Sequence, residues 1–351
     1  MDTLTHALSG ALLARATAPQ QSPDGLSHGR RVLVGAMAAA FPDIDFVAGY
    51  VSSVFYLQHH RGITHSLMLL PLWALLMSWL SVLIWRRDRS WRAYFGVAAM
   101  GVGIHILGDL ITSYGTMIFA PFSDARFAWD TTFIIDPWFT GIIVAGLLFS
   151  WLWHGSRVPA VAGLVVLATY VGWEAVLQHA AVQFGRDFAY GMKFQVARIS
   201  AQPRPASPLH WVVFVEKDDR IHYALVRLTQ GEAPAPLPAD AGFLARISAP
   251  YLPLNHAIWV STPRYGENPQ DSGLARTVWE HPDFAFFRWF ARYPVLYRVD
   301  HEASVCVWFQ DLRFFTPGRP NFPFRYGMCR EDAGRWRTYR LLGENARVEV
   351  P

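Results

Sequence analysis

The residues with the most evident chemistry are His105 and Asp109, set in the run Gly103-Ile104-His105-Ile106-Leu107-Gly108-Asp109-Leu110. On a helix, positions i and i+4 lie one above the other. An imidazole nitrogen and a carboxylate oxygen stacked this way can hold one metal ion between them. The flanking residues are apolar enough to enter a membrane. There an ionisable pair is costly, and its default reading is a functional site.

Four further polar clusters interrupt the same half of the chain. They are Asp2-Thr3-Leu4-Thr5-His6, Phe41-Pro42-Asp43-Ile44-Asp45, His59-His60-Arg61-Gly62-Ile63-Thr64-His65-Ser66 and Ile134-Ile135-Asp136-Pro137. His6, Asp43, His65, His105 and Asp109 are the first-choice metal ligands, with Asp45, His59 and His60 next. Nitrogen and oxygen donors suit zinc foremost, and manganese or iron(II) as well. The expected load is one to three divalent ions, and the surplus of donors favours two or three. A metal-bound water has its pKa lowered toward ~7, which supplies hydroxide at neutral pH, and paired ions can clamp a phosphoester. Arg61, on the same loop, could hold a phosphate oxygen through its planar fork. Ser66, Thr112, Ser113 and Tyr114 could orient substrate, and no side-chain nucleophile is needed.

Each piece also has a purely structural reading. Thr3 and Thr5 could cap the first helix, and Asp43 and Asp45 could be caps after Pro42. His6 could be a surface residue, and one of His59 and His60 a plain loop residue. His105 and Asp109 could be a buried pair that fixes helix packing. Asp136 before Pro137 is a typical turn residue. Glu174 and the histidines His154, His179, His210, His222, His256, His281 and His301 show no ligand spacing. The metal reading rests on the coincidence of the clusters.

The chain has 351 residues, of which 17% are charged, with a net charge of +4. That charged fraction is well below the usual quarter or so and points to membrane segments. No dense basic cluster with interleaved aromatics is present, so nucleic acid is not an expected partner. Met1-Asp2-Thr3 lacks the basic start of a cleavable signal peptide, so internal apolar segments are expected to drive insertion. The two cysteines, Cys306 and Cys329, show no CxxC spacing, and a disulfide between them requires an oxidising compartment.

The elements that must position these residues follow from hydropathy. Residues 66–85 form a charge-free run long enough to cross roughly 30 Å of hydrocarbon. Further apolar segments cover 93–112, 139–153 and 158–178. Two pieces, 4–16 and 32–41, are too short to span alone. The expected architecture is an α-helical membrane domain of four to six helices, some short, over residues 1–180, followed by a small β-rich soluble domain over 181–351. In that second part, 203–208 and 233–238 read as extended connectors. Residues 211–216 and 221–226 around Asp218-Asp219-Arg220 read as a hairpin. Residues 295–299, 304–309 and 335–341 read as strands, and 284–291 as a short helix.

Arg15, Arg30, Arg31, Arg86, Arg87, Arg89, Arg92 and Arg157 fall at one set of helix ends. The positive-inside rule places those ends in the cytoplasm. The expected location is therefore a bacterial inner membrane, crossed several times. The polar clusters and the C-terminal domain then lie on the outer, periplasmic face.

The residues Met1-Asp2-Thr3-Leu4-Thr5-His6, Phe41-Pro42-Asp43-Ile44-Asp45, His60-Arg61-Gly62-Ile63-Thr64-His65-Ser66 and His105-Ile106-Leu107-Gly108-Asp109, in this order, resemble the LexA-binding, inner-membrane-associated metal-dependent hydrolase family. The resemblance covers residues 1 to about 180. A more distant likeness is to the zinc-dependent phospholipase C and single-strand nuclease superfamily, through the His-x-x-Gly-Asp-type motif at 105–109. That superfamily follows the motif with Pro-Leu-His, whereas this chain has Leu110-Ile111-Thr112. The resemblance implies a hydrolase using metal-activated water on a phosphoester, such as a lipid or lipid-linked head group arriving from the membrane. The alternative is a non-catalytic membrane protein with a structural metal site and a C-terminal domain that binds a protein partner. A transporter is the third reading.

Overall fold

The computed structural model describes residues 1–19, 26–85, 91–232, 237–238, 240–301, 304–317, 323–330 and 334–350. Arg86, Arg87, Arg89 and residues 233–236 of the expected connector lie outside the described residues. The chain divides into two compact units, one of Met1–Val47 and His59–Val176, the other of Ala48–Gln58 and Leu177–Pro351.

The first unit is helical. Helix α1 (Thr3–Ala16) is capped by Asp2, whose carboxylate accepts from the Thr5 amide at 3.0 Å and the Thr5 hydroxyl at 2.6 Å. Thus Asp2, rather than Thr3 or Thr5, is the cap. Helix α2 (His28–Ala40) is capped by Ser27 and continues as a 3-10 segment, Phe41–Tyr50. There follow α3 (Ser53–His59), a short 3-10 turn Ile63–His65, α4 (Leu70–Ile84), α5 (Arg92–Leu110), α6 (Pro137–Leu152) and α7 (Val158–Gly191).

Among the described residues, three helical stretches are long and apolar enough to cross a membrane: His28–Tyr50, Arg92–Leu110 and Val158–Gly191. Two expectations change here. Residues 32–41 belong to a 23-residue helical stretch, because the 3-10 turns carry the chain on past Pro42. Residues 66–85 do not form one spanning helix. Their helical part, Leu70–Ile84, reaches spanning length only together with Ser53–His65, from which it is bent by 79°. The bend has a cause. The Ser66 hydroxyl accepts from the amides of Met68 and Leu69, and Leu67 donates its amide to the Ile118 carbonyl at 2.9 Å. The chain at 66–69 is therefore tied to the 118–120 loop, and Pro71 starts α4 in its first turn.

Small residues bring α1, α2 and α5 almost into backbone contact. A Cβ on Gly10 would fall 2.2 Å from the Gly35 carbonyl oxygen, and one on Gly101 would fall 2.7 Å from the Ala38 Cβ. In lipid, where apolar surface gains little from leaving its surroundings, such close packing is a main source of helix association.

Among its described residues, the second unit carries two five-stranded sheets. The first contains β1 (Arg198–Pro203), β2 (His210–Lys217), β3 (Arg220–Arg227), β4 (Leu252–Pro253) and β5 (Trp259–Pro263), with α8 (Phe243–Ser248) between β3 and β4. The β2–β3 hairpin pairs Lys217 with Arg220 around Asp218, which has φ 52°. Helices α9 (Pro269–Glu280) and α10 (Ala285–Phe290) lead into an antiparallel meander. Its strands are β6 (Pro294–His301), β7 (Val305–Asp311), β8 (Tyr326–Arg330), β9 (Arg337–Leu342) and β10 (Ala346–Glu349). Phe214 stacks on Tyr293 at 4.1 Å in the unit's core. Cys306 and Cys329 face each other across β7 and β8 and are joined as a disulfide.

The α2–α5 contact can be tested within one helix. Gly101→Ala should lower stability by about 1–3 kcal/mol through overpacking. Gly96→Ala, with open space at its Cβ, should be neutral or stabilising by up to about 1 kcal/mol. Thermal unfolding of the two variants in detergent reads the difference, and equal midpoints would refute the close approach.

Candidate metal centre

The polar residues converge because their helix ends do. His6 lies in the first turns of α1, Asp43 just after α2, His65 just before α4, and His105 and Asp109 in the last turns of α5. His6, His65, His105 and Asp109 are each fully buried. One ligand atom from each of His6, Asp43, His105 and Asp109 lies within 4.8 Å of the others.

His65 joins this group through its Nε2, 3.1 Å from Asp109 Oδ2 and 2.9 Å from His105 Nε2. The outer partners of the two rings fix where their protons sit. His105 Nδ1 faces the Ala39 carbonyl oxygen at 2.6 Å, so that nitrogen carries the proton. The Thr64 hydroxyl donates to Asp45 Oδ2 at 3.2 Å, which leaves its oxygen to accept from His65 Nδ1 at 2.9 Å. In their neutral forms both rings then present bare Nε2 lone pairs to each other. Two such lone pairs at hydrogen-bond distance repel, and a cation bonded to both relieves the repulsion. Orientation of a ligating imidazole by a bond from its other nitrogen is the usual arrangement in metal sites.

The distances agree with that reading. Asp43 Oδ1 is 3.9 Å from His65 Nε2 and 3.7 Å from His105 Nε2, and Asp109 Oδ2 is 3.6 Å from His105 Nε2. Together with the 2.9 and 3.1 Å separations above, these scatter around the ~3.3 Å edge of a tetrahedron with bonds of about 2.05 Å. Asp109 Oδ2 is buried and accepts no hydrogen bond. A buried carboxylate oxygen left so is costly unless a cation meets it.

His6 lies on the other side of Asp109. Its Nε2 is 3.0 Å from Asp109 Oδ1, its ring stacks on His105 at 3.7 Å, and its buried Nδ1 has no hydrogen-bond partner among the described residues. Gly108 makes room for this ring, since a Cβ there would fall 3.1 Å from His6 Cε1. The glycine before Asp109 thus has a steric reason.

The remaining predicted residues fall around the centre. Asp45 accepts from His60 Nδ1 and from the Arg61 amide, both at 2.8 Å, and so supports the loop behind His65. His60 therefore points at Asp45. His59 is exposed at the end of α3, and its carbonyl accepts the Gly62 amide. Arg61 is buried, with Nη2 2.8 Å from Asp109 Oδ1 and Nη1 donating to Thr112 Oγ1 at 2.8 Å. Its Nε makes no hydrogen bond. The Met1 amino group also pairs with Asp109 Oδ1. Asp136 stands apart as the cap of α6, accepting from the amides of Trp138 and Phe139. Tyr170 donates to it at 2.8 Å, and Glu174 nearby accepts from the Thr132 hydroxyl at 2.7 Å. Sequence reasoning missed Thr64 and the Ala39 carbonyl as supports of the centre. Only the position of Thr64 beside His65 hinted at either. Thr3, read there as a cap, instead donates its hydroxyl to Asp43 at 2.6 Å.

No solved structure matches the chain. Over 178 residues it is 26% identical to the protein described as "Uncharacterized protein YfhP" of Bacillus subtilis (strain 168), covering 50% of this chain and 53% of that relative. The match thus spans about half the length of the curated relative. The model of the YdjM inner membrane protein family matches residues 1–181, which include every candidate ligand. The chain belongs to the YdjM inner membrane protein family.

Proposed function

We propose that this protein is a membrane-embedded, metal-dependent hydrolase of phosphoesters. The observation that carries the reading is the pair of converging Nε2 lone pairs of His65 and His105, closed by Asp43 and Asp109. His65, His105, Asp43 and Asp109 would hold one ion. Asp109 offers Oδ2 to that set and Oδ1 toward His6, so His6 could share the carboxylate with a second. Zinc suits the donor set best. A divalent ion bound there would act as a Lewis acid and lower the pKa of a bound water. The chain's own part is to position. Thr64 and the Ala39 carbonyl hold the imidazoles in one tautomer, and Arg61 stands against the centre with a free Nε–H to offer a phosphate oxygen. The hydrolytic activity itself is supported by the family resemblance carried by residues 1 to about 180.

Detergent-purified protein should contain a divalent metal, and His105→Ala and Asp109→Ala should lower its content at least about tenfold, as loss of a ligand does. Elemental analysis on monodisperse samples decides, and unchanged content in both variants would sink the metal reading. Hydrolysis of a phosphoester by the wild type should fall by about a hundredfold or more on chelation and return with zinc. Turnover that survives removal of the metal would rule out metal-dependent hydrolysis. A metal-loaded protein that turns over no phosphoester would favour a structural site.

The second unit we place in the periplasm. Its support is the Cys306–Cys329 disulfide, a bond that persists in oxidising compartments. Intact cells treated with a thiol-blocking reagent, followed by denaturation, should yield protein that takes up a maleimide label only after reduction. Labelling without reduction would put the unit in the cytoplasm.

A further inference from the structure

A cavity of about 350 Å³ lies among α1, α5, α6 and α7, with Ser9, Leu107, Gly108, Ile111, Leu167 and Ala168 in its walls. This volume falls in the range of small-molecule sites. Its lining is hydrocarbon apart from Ser9 and the indole of Trp129, and the Ser9 hydroxyl is already given to the Thr5 carbonyl at 2.8 Å. A void lined in this way does not hold water, which would need two or more polar partners. Leu107 and Trp129 are exposed, so the cavity opens outward. Two of its walls, α5 and α7, are helices of spanning length and hydropathy, and the medium beside them is acyl chain.

The cavity also touches the metal centre. Gly108 forms part of its wall, and Gly108 is the residue against which the His6 ring packs and the neighbour of Asp109. Ser9 lies one helical turn beyond His6 on α1. Gly108 carries no side chain, so the cavity reaches the backbone of the turn that bears His105 and Asp109. An apolar compartment beside a polar, charge-bearing centre fits a molecule with one apolar and one anionic part.

We propose that this cavity binds one hydrocarbon chain of a membrane lipid whose phosphoester head is the substrate of the adjoining centre. The head-group part rests on the hydrolase reading above, whereas the chain part stands on the cavity alone. The chain enters between α5 and α7 from the bilayer, and its binding energy holds the phosphoester at the centre without a long-range search.

The test uses the full-length protein in nanodiscs containing a phospholipid with a photoactivatable diazirine at the end of one acyl chain. Leu167 and Ile111, which are 7% and 4% exposed, can be labelled only from inside the cavity, while Val165 and Val166 face outward. Crosslinks are expected on Leu167 and Ile111. Ala168→Trp, which plugs the cavity from its wall, should reduce those crosslinks about tenfold, since several buried methylenes are lost. The labels on Val165 and Val166 should stay as they are. Leu164→Trp serves as a second plug, and metal content confirms that each variant retains its centre. The plugs should also slow hydrolysis of a long-chain phosphoester about tenfold while leaving a water-soluble aryl phosphoester unaffected. Labelling confined to Val165 and Val166, or crosslinks on Leu167 that neither plug reduces, would overturn the chain site. Plug-sensitive crosslinks without any phosphoester turnover would uphold the chain site and reject the hydrolase reading.

Discussion

The first unit depends on one charge, the carboxylate of Asp109. It is fully buried in the last turn of α5, where the helix dipole opposes a negative group. Its burial is tolerable only because cationic and polar groups from elsewhere in the unit reach it. Arg61 comes 2.8 Å from Oδ1 and His6 Nε2 3.0 Å from the same atom, and the Met1 amino group pairs with it as well. The chain accepts local strain to bring Arg61 there, since that residue takes φ 61°, a left-handed conformation costing about 1–2 kcal/mol outside glycine. The loop is then pinned on both sides of Arg61, by its amide to Asp45 and by its carbonyl to the Met117 amide at 2.9 Å. Removing the carboxylate would leave Arg61 and the Met1 amino group buried without the counter-charge they share, which is why single changes here are expected to disturb more than one contact.

Such a centre needs helix ends that meet within a few tenths of an ångström, and this unit achieves that with very small residues. Gly10, Gly35 and Gly101 let α1, α2 and α5 approach until carbonyl oxygens occupy the space of side chains. The same approach sets His105 Nδ1 against the Ala39 carbonyl, so backbone proximity also fixes the tautomer of a candidate ligand. Packing and chemistry are therefore one constraint here.

Much of this was legible in the chain. His105 and Asp109 carried their own signal, a helical spacing inside an apolar run, and the other candidate ligands were visible as polar interruptions of apolar segments. The overall order of a helical half and a β-rich half was legible for the same reason, a change in hydropathy near residue 180. The bend at 66–69 was not, because hydropathy counts apolar side chains and is blind to a serine that accepts the amides of Met68 and Leu69 and donates to the Ala120 carbonyl of a distant loop. Nor was the membership of Ala48–Gln58 in the second unit, which depends on contacts far apart in sequence. The strands β1 and β10 escaped because Arg198–Pro203 and Ala346–Glu349 alternate over only six and four positions, with alanine supplying part of the apolar side. They exist because their neighbours β2 and β9 present paired edges. Asp45, grouped with the candidate ligands by composition, accepts from Thr64, His60 and the Arg61 amide, contacts that only coordinates show.

The two units are held by different forces, and this bears on where the chemistry resides. The second unit buries aromatic side chains such as Trp211, Phe214, Phe287 and Trp308 away from water, so it gains from the hydrophobic effect. The first has no comparable gain among acyl chains and relies on close packing and internal polar bonds. A polar group in that setting is retained only if each of its atoms has a use, since an idle one is heavily penalised. The described centre leaves Asp109 Oδ2, His6 Nδ1 and Arg61 Nε idle in protein contacts. These three atoms belong to one cluster, and all fall within the residues 1–181 that define the family. A carboxylate oxygen, an imidazole nitrogen and a guanidinium N–H left idle together around one buried carboxylate are what a site built for something outside the chain would show.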